Sequence, residues 1–271
     1  MAEGWWFLAG LIAGGSVGAA LTVLLARRIW RNARRLAARS KGRESLLELG
    51  HLAGGLAHEI KNPLSTINLN LKLLSEDLAR HDDEEHRRWL RRLTNVREEA
   101  DRLRGILDDF LRYAGKIELS PAATDLRTVI SELVDFFLPQ AEVAHVLVRT
   151  SLPDKAVPCN LDERLFKQAL LNLMINAVQA MSAGGELLLK VAQSRDEATV
   201  EVIDTGPGIS AEHLAKVFQA YFSTKQGGSG LGLPFTRRVV HEHQGTISVE
   251  SEPGKGTRFL IALPLAGNTQ K

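Results

Sequence analysis

The chain has 271 residues, enough for about two domains and a sizeable core. Its 34 basic against 32 acidic side chains leave a formal charge of +2, so no field suited to a polyanion is implied and no nucleic-acid partner is expected. Cys159 is the only cysteine, which excludes a disulfide within the chain and a multi-cysteine metal cluster and suits a reducing cytoplasm, and the eight histidines show no HExxH or other paired-ligand spacing.

The N-terminal end is unlike the rest. From Trp5 to Ala26 no ionisable side chain occurs, and the run matches the length of about 20 residues that crosses a bilayer. Arg27, Arg28, Arg31, Arg34 and Arg35 follow it, while only Glu3 precedes it, so the positive-inside bias places the C-terminal bulk in the cytoplasm. A cleaved signal peptide would carry its positive charge on the other side. Trp5, Trp6 and Trp30 bracket the run at interfacial positions. These features predict a single-pass protein of the cell inner membrane, with residues 1–4 outside, 5–26 as a transmembrane helix and 27–43 as a basic connector against anionic headgroups. With so few residues outside, no extracytoplasmic sensor domain is expected.

The next stretch, HLAGGLAHEIKNPLSTINLNLKLL from His51, repeats Ala53, Leu56, Ile60, Ile67, Leu71, Leu74 and Leu78 at spacings of three and four, the pattern of a helix packed in a bundle. His58 falls off that seam. A solvent-facing imidazole there has no packing role, titrates near neutrality and offers a nitrogen nucleophile. Glu59 can hydrogen-bond one ring nitrogen and leave the other free. Pro63 gives no N–H to the carbonyl of Glu59, so the helix should loosen about one turn from the histidine. A polar cluster, His81 to His86, breaks this helix, and a second carries Leu90, Leu93, Val96, Ala100, Leu103, Leu107, Phe110, Ala114 and Ile117 on one stripe. One such hairpin leaves much apolar stripe exposed, so pairing with a second copy into a four-helix bundle, a homodimer, is predicted over residues 44–120. Ser120 and Pro121 mark the expected boundary.

From residue 121 to 266 the pattern changes to short alternating elements, followed by a tail at 267–271. Helices are predicted over Leu126–Phe137, Asp162–Met181 and Gly232–His243, and strands over Val146–Thr150, Glu186–Ala192, Thr199–Asp204, Thr246–Glu250 and Thr257–Leu263. The fold class is α+β, a sandwich with helices on one face of a mixed sheet.

Four clusters stand out in this part. Asn172 and Asn176, in NLMINA, lie one helical turn apart, where two amides can reach a metal ion and phosphate oxygens, or equally cap loops. Asp204, Gly206 and Gly208, in DTGPG, end a strand where backbone can approach a flat ligand and the carboxylate can accept from an amino group such as that of adenine; DxGxG is also a common turn. Gly227, Gly228, Gly230, Leu231 and Gly232, in GGSGLGL, open a helix whose free N–H groups suit phosphate. Gly254, Gly256, Thr257 and Phe259, in GKGTRF, turn into the last strand and can form a plain hairpin.

HEIKNPL, NLMINA, DTGPGI, FSTK, GSGLGL and GKGTRF occur in the order found in bacterial two-component sensor histidine kinases, and residues 46 to 264 resemble that family. The resemblance implies a dimeric phosphoacceptor hairpin followed by an ATP-binding sandwich of the gyrase, chaperone and histidine kinase type; GxxxxGK[ST] is absent. It implies His58 as phosphoacceptor, Glu59 as its catalytic partner and Asn62 as the residue orienting water for dephosphorylation of a response regulator. It further implies Asp204 on the adenine amino group with Thr257 nearby, Asn176 as the ligand of a magnesium ion bridging the phosphates, and Asn172 in support. A mobile lid is expected over Val217–Gly232, holding Phe222 and Lys225, with Lys225 a candidate γ-phosphate contact or simply an exposed lysine. Related ATPases place a general-base Glu where this chain has Asn172, so bound ATP should hydrolyse slowly and await a better nucleophile. ATP, Mg2+, a cognate response regulator and the membrane are the expected partners. A membrane-anchored pseudokinase scaffold and a chaperone-class ATPase are the competing readings.

Overall fold

The computed structural model describes residues 60, 62, 64–76, 78, 84–225 and 228–266, the side chains of residues 85 and 86 excepted. The predicted membrane span, the basic connector, His58, Glu59 and Pro63 lie outside them. Among the described residues no helix is long and apolar enough to cross a membrane. The chain divides into two compact units, the first running to Lys116 and the second from Ile117.

In the first unit, α1 (residues 64–76) and α2 (Glu84–Ala114) form a helical hairpin. On α1, Leu64 is buried, and Ile67, Asn68, Leu71 and Ser75 are half-buried behind it, the spacing of a single helical face. Asn68 Nδ2 donates to Asp101 Oδ1 of α2 at 2.7 Å. The observed stripe departs from the predicted one at Leu74, 48% exposed, and Val96, 43% exposed. Ser75 takes the inward position instead of Leu74, which it can do because its hydroxyl donates to the Leu71 carbonyl at 2.8 Å and leaves no unmet donor. Leu69, Leu73, Leu74, Trp89 and Val96 thus form exposed apolar surface on this unit. α2 also stops at Ala114, short of the predicted end. Gly115, a poor helix former, follows it and donates its N–H to the Leu111 carbonyl at 2.8 Å.

The second unit opens with a short pairing the sequence pattern does not reveal: β1 (Ala122–Asp125) runs antiparallel to β3 (Pro158–Leu161). Between them come α3 (Leu126–Val143) and β2 (Val146–Ser151). Then follow α4 (Glu163–Ala180), β4 (Gly185–Gln193), β5 (Glu197–Asp204), a short α5 (Ala211–Leu214), α6 (Gly232–Glu242), β6 (Thr246–Glu252) and β7 (Gly256–Pro264). The main sheet has the order β2-β4-β5-β7-β6, parallel at β2-β4 and antiparallel elsewhere, as the predicted mixed sheet requires. Every second residue of β4 and β7 faces the core: Leu187, Leu189 and Val191, then Phe259, Ile261 and Leu263, packed with Phe137, Phe166, Leu170 and Met174 of α3 and α4. α3 runs past its predicted end and through Pro139, because burial of Phe137 and Ala141 outweighs the hydrogen bond lost at the proline. Cys159 is fully buried in the same core, and burial pushes its thiol up to about 11.

Among the described residues of the second unit the opposite face carries no helix, and it is crossed by an ion-pair ladder. Lys190 of β4 meets Glu201 of β5 at 3.5 Å, Glu201 meets Arg258 of β7 at 2.7 Å, and Arg258 meets Glu250 of β6 at 2.8 Å. Opposite charges on adjacent strands let a nearly buried Glu201 remain ionised on a solvent-facing sheet.

Asp125 starts α3. It accepts the N–H of Arg127 at 3.1 Å and of Val157 at 3.0 Å, and pairs with the Arg127 guanidinium at 2.8 Å. The Arg127 side chain, with those backbone donors, outweighs partial burial and holds the carboxyl at about 2, against an ordinary 3.8. The folded group therefore binds its proton less tightly than the unfolded one, so its stabilisation is complete above the unfolded value and is lost as pH falls through the folded one. Solvent screening of the half-buried pair brings the effect to roughly 1 kcal/mol. In urea titrations the parent should exceed Asp125→Asn by that amount above about pH 5 and converge with it near about pH 2; a difference independent of pH would show that the charge is not involved.

Candidate functional site

α4 is the element that carries the site. Its N-cap Asp162 accepts the N–H of Leu165 at 3.0 Å, and Leu165, Phe166, Ala169, Leu170, Leu173, Met174, Ala177 and Val178 are buried against the sheet and α6. That face is full, which leaves the polar residues at 172, 176 and 179 on the adjoining edge of the helix, one turn apart in succession. Asn172 Nδ2 donates to the carbonyl of Gly232 at 3.4 Å, at the first turn of α6. Asn176 Oδ1 accepts from Lys225 Nζ at 3.1 Å, and the Asn176 carbonyl accepts from the same ammonium at 3.3 Å. Gln179 Oε1 accepts from it at 2.9 Å.

Asp204, the last residue of β5, is only 6% exposed, and its Oδ1 accepts the N–H of Gly206 at 2.9 Å. Burial raises its pKa above the ordinary carboxylate range, against the backbone N–H groups of Gly206 and Thr257 and the charge of Lys225, which all act to lower it. Thr257 stands opposite Asp204 across the β5-β7 pair, and its hydroxyl lies 3.1 Å from that of Ser251. Ser251 Oγ also donates to the Gly256 carbonyl at 2.7 Å and accepts the Ile209 N–H at 2.8 Å, which ties the DTGPGI turn to the β6-β7 hairpin.

Geometry requires glycine at several turns, among them Gly256, whose φ is +88° and whose added Cβ would meet the Asp204 carbonyl oxygen, and two more in the site. Gly208 has φ +73°, and a Cβ there would lie 2.1 Å from the Glu252 carbonyl oxygen. Gly230 has φ +66° and would crowd the backbone of Tyr221, whose N–H donates to the Gly230 carbonyl at 2.9 Å. Gly206 would press a side chain onto Asp204 Oδ1, and Gly228 onto Ser223 Oγ. Gly232 is comparatively open, with only the Asn172 amide near its added Cβ. Leu231 is buried. Phe222 is half-buried and its ring is tilted 58° against His213 at 5.6 Å.

The structure thus joins Asn172 to Gly232, Asn176 to Lys225, and Asp204 to Gly206 and Thr257. Gly227, His58 and Glu59 lie outside the described residues; Asn62 is exposed, and its carbonyl accepts from Thr66 Oγ1 at 3.1 Å. Among the described residues no group of acidic, histidine and cysteine side chains could hold a metal ion. A magnesium ion at Asn176 would thus meet, among the described residues, neutral protein oxygens, with Asp204 held in its own turn. Such a donor set suits an ion that keeps several waters and takes its charge from phosphate oxygens.

Three contributors escape the sequence pattern. Gln179 continues the amide row by three residues. Ser251 ties two glycine turns together. His243, read as a helix end, is 5% exposed: its Nε2 accepts the Asp162 N–H at 2.9 Å, its Nδ1–H donates to the Val239 carbonyl at 2.8 Å, and its ring sits edge-on to Phe166. With Thr236 Oγ1 donating to the Ala169 carbonyl at 3.3 Å, it fixes α6 to α4. Asp162 Oδ2 also accepts the Ser120 N–H at 3.0 Å, so the incoming chain is fastened to the same node.

Two family models match this chain in succession. The His Kinase A (phospho-acceptor) domain matches residues 48–116, and the Histidine kinase-, DNA gyrase B-, and HSP90-like ATPase matches residues 161–267. The sensor histidine kinase ZraS of Escherichia coli O157:H7 is 36% identical over 253 residues, 90% of this chain and 54% of the relative. The signal transduction histidine-protein kinase AtoS of Escherichia coli K12 is 33% identical over 223 residues, 82% of this chain and 36% of the relative. The chain spans about half the length, or less, of these curated relatives. Among solved structures, full-length ShkA in complex with AMPPNP superposes with a TM-score of 0.67 at 28% identity, covering 80% of this chain and 46% of that one. The histidine kinase ThkA in complex with response regulator protein TrrA gives 0.61 at 26% identity, covering 85% and 66%. With a phosphoacceptor hairpin and a gyrase-like ATPase sandwich in that order, and each motif on the element where it was expected among the described residues, the chain belongs to the sensor histidine kinases.

Proposed function

We propose that this chain is a membrane-anchored, homodimeric protein-histidine kinase that takes the γ-phosphoryl group of ATP onto His58 and passes it to an aspartate of a response regulator. The observation that carries the reading is that Asn176, the GSGLGL turn and the Asp204–Gly206 turn, which lies against Ala180 and Met181, all lie along the C-terminal half of α4. Asp204 accepts the adenine amino group, the glycine turn offers backbone N–H groups to phosphate, and Asn176 with Asn172 in support holds the magnesium ion that neutralises phosphate charge. A ring nitrogen of His58 attacks the γ-phosphorus in line; the bond to the ADP oxygen breaks, and Glu59 orients the ring and draws on its proton. The exposed apolar surface of the hairpin, Leu69, Leu73, Trp89 and Val96 among it, supports burial against a second copy. The solved complex of ThkA with TrrA supports a response regulator as the acceptor, and the uncharged run Trp5–Ala26 supports the anchor.

The test is incubation with γ-labelled ATP and magnesium. Label should appear on the chain, survive alkali, be lost in acid as a phosphoramidate is, and chase onto an added response regulator. Absence of label with nucleotide demonstrably bound would leave a binding scaffold.

Asn62 separates two activities within this reading. Its exposed position one turn past His58 is suited to orienting the water that attacks the regulator's acyl phosphate. Asn62→Ala should keep autophosphorylation within about twofold and lose phosphatase activity by about 10²-fold, the scale of a lost positioning group. A parallel fall of both rates with a lowered melting temperature would instead make Asn62 a support for backbone loosened by Pro63.

A further inference from the structure

Lys225 lies 49 residues along the chain from Asn176, yet its ammonium is held by three oxygens of one helix edge: Gln179 Oε1 at 2.9 Å, Asn176 Oδ1 at 3.1 Å and the Asn176 carbonyl at 3.3 Å. The residue as a whole is exposed, while its ammonium is turned onto the edge of α4. There burial lowers its pKa below that of an ordinary lysine, with the charge of Asp204 opposing the shift. Asn176 Oδ1 is the oxygen assigned above to the metal ion. A donor hydrogen on its lone pair and a positive charge about 3 Å away both oppose entry of a divalent cation, so the oxygen serves the ammonium or the metal in turn. Gln179 is not among the residues assigned above to the nucleotide, and its amide oxygen makes the shortest of the three contacts.

We propose that Gln179 is a positioning residue that holds Lys225 in the seat the metal must take, so that Mg·ATP binds this chain by displacing an internal cation. The inference rests on the assignment of Asn176 as metal ligand. The freed ammonium, carried by the segment that adjoins the glycine turn, then becomes available to the phosphates. Gln179 thereby sets how strongly the nucleotide-free site resists the metal, without touching the nucleotide itself. Its side chain is exposed, so the fold should tolerate its replacement.

The test uses the purified full chain, its Leu and Glu variants at position 179, and two readouts. The first is the rate at which acetic anhydride modifies Lys225 in the absence of nucleotide, followed by mass spectrometry relative to the exposed Lys155. The second is the affinity for a fluorescent ATP analogue with and without magnesium. Gln179→Leu should let Lys225 react about threefold to tenfold faster and should tighten binding of the magnesium complex by a similar factor, the effect of one lost charged hydrogen bond after solvent takes its place. Gln179→Glu, which grips the ammonium with a full charge, should move both readouts the other way. Tighter Mg·nucleotide binding in Gln179→Glu would overturn the proposal by making position 179 a metal ligand, and unchanged Lys225 reactivity in both variants would overturn it by showing that Gln179 does not hold the lysine. If the parent binds no Mg·nucleotide at all, the site assignment itself fails, an outcome visible before any variant is compared.

Discussion

His58→Gln should take no label from γ-labelled ATP. Glutamine is close in size, is a good helix former and is polar, so neither the helix nor the pairing of hairpins should suffer. What it lacks is a nitrogen lone pair able to form an N–P bond, so the loss is of the nucleophile itself and should exceed about 10³-fold, down to background. Binding of ATP and the melting temperature should stay at parental values, because Asn172, Asn176, Asp204 and Thr257, proposed to hold the nucleotide, belong to the second unit. The chain has eight histidines, so peptide mapping of the parent's label is part of the measurement. Label that persists in His58→Gln with parental intensity would place the phosphoacceptor elsewhere, and label on a peptide lacking residue 58 would do the same.

The parts of this molecule that could be read from the sequence are those whose function demands a residue type at a fixed spacing. Asn172 and Asn176, four apart in the sequence, lie on one helix edge, and Asp204 closes a strand ahead of Gly206 and Gly208 as its motif suggests. The long amphipathic elements were legible for the same reason: their period repeats over many turns. What escaped recognition depends on partners distant in sequence. AATD shows no alternation, and PCNL, which alternates exposed and buried residues, has only four residues and opens on a proline, so both become strands by pairing with each other. His243 looks like a polar helix end until Asp162, 81 residues away, donates to it inside the core. Leu74 and Val96 fitted a loose three-and-four spacing, but the hairpin turns Ser75 inward and leaves both leucine and valine exposed. Gln179 carries no signal of its own in the sequence, being one amide beyond a motif; its contact depends on Lys225 reaching it.

Asp204→Asn should separate nucleotide binding from stability more sharply than any other change in the ATPase unit. Asp204 is buried, and burial raises its pKa, so holding it ionised at neutral pH costs the folded chain stability. The sign follows from linkage: a carboxyl whose folded pKa is raised binds its proton more tightly folded than unfolded, so the fold is favoured at low pH and loses that advantage as pH rises through the folded value. Asparagine removes the charge and keeps one oxygen, which can still accept the Gly206 N–H as Asp204 Oδ1 does. The free chain should therefore melt no lower than the parent at neutral pH, and its melting temperature should depend less on pH. Adenine binding should respond in the opposite direction. Its amino group is a donor, and the second oxygen that would accept it is replaced by an NH2 group that also donates. Turning the amide over only transfers the conflict to Gly206. A buried donor facing a donor leaves two groups unsatisfied, so affinity for ATP should fall by about 10²-fold or more, and autophosphorylation with it. Isothermal titration with ADP and a thermal melt of the same preparation decide the matter. Parental ADP affinity in Asp204→Asn would remove Asp204 from the adenine site, and a matching fall in affinity and melting temperature would make it a structural member of the β5 turn.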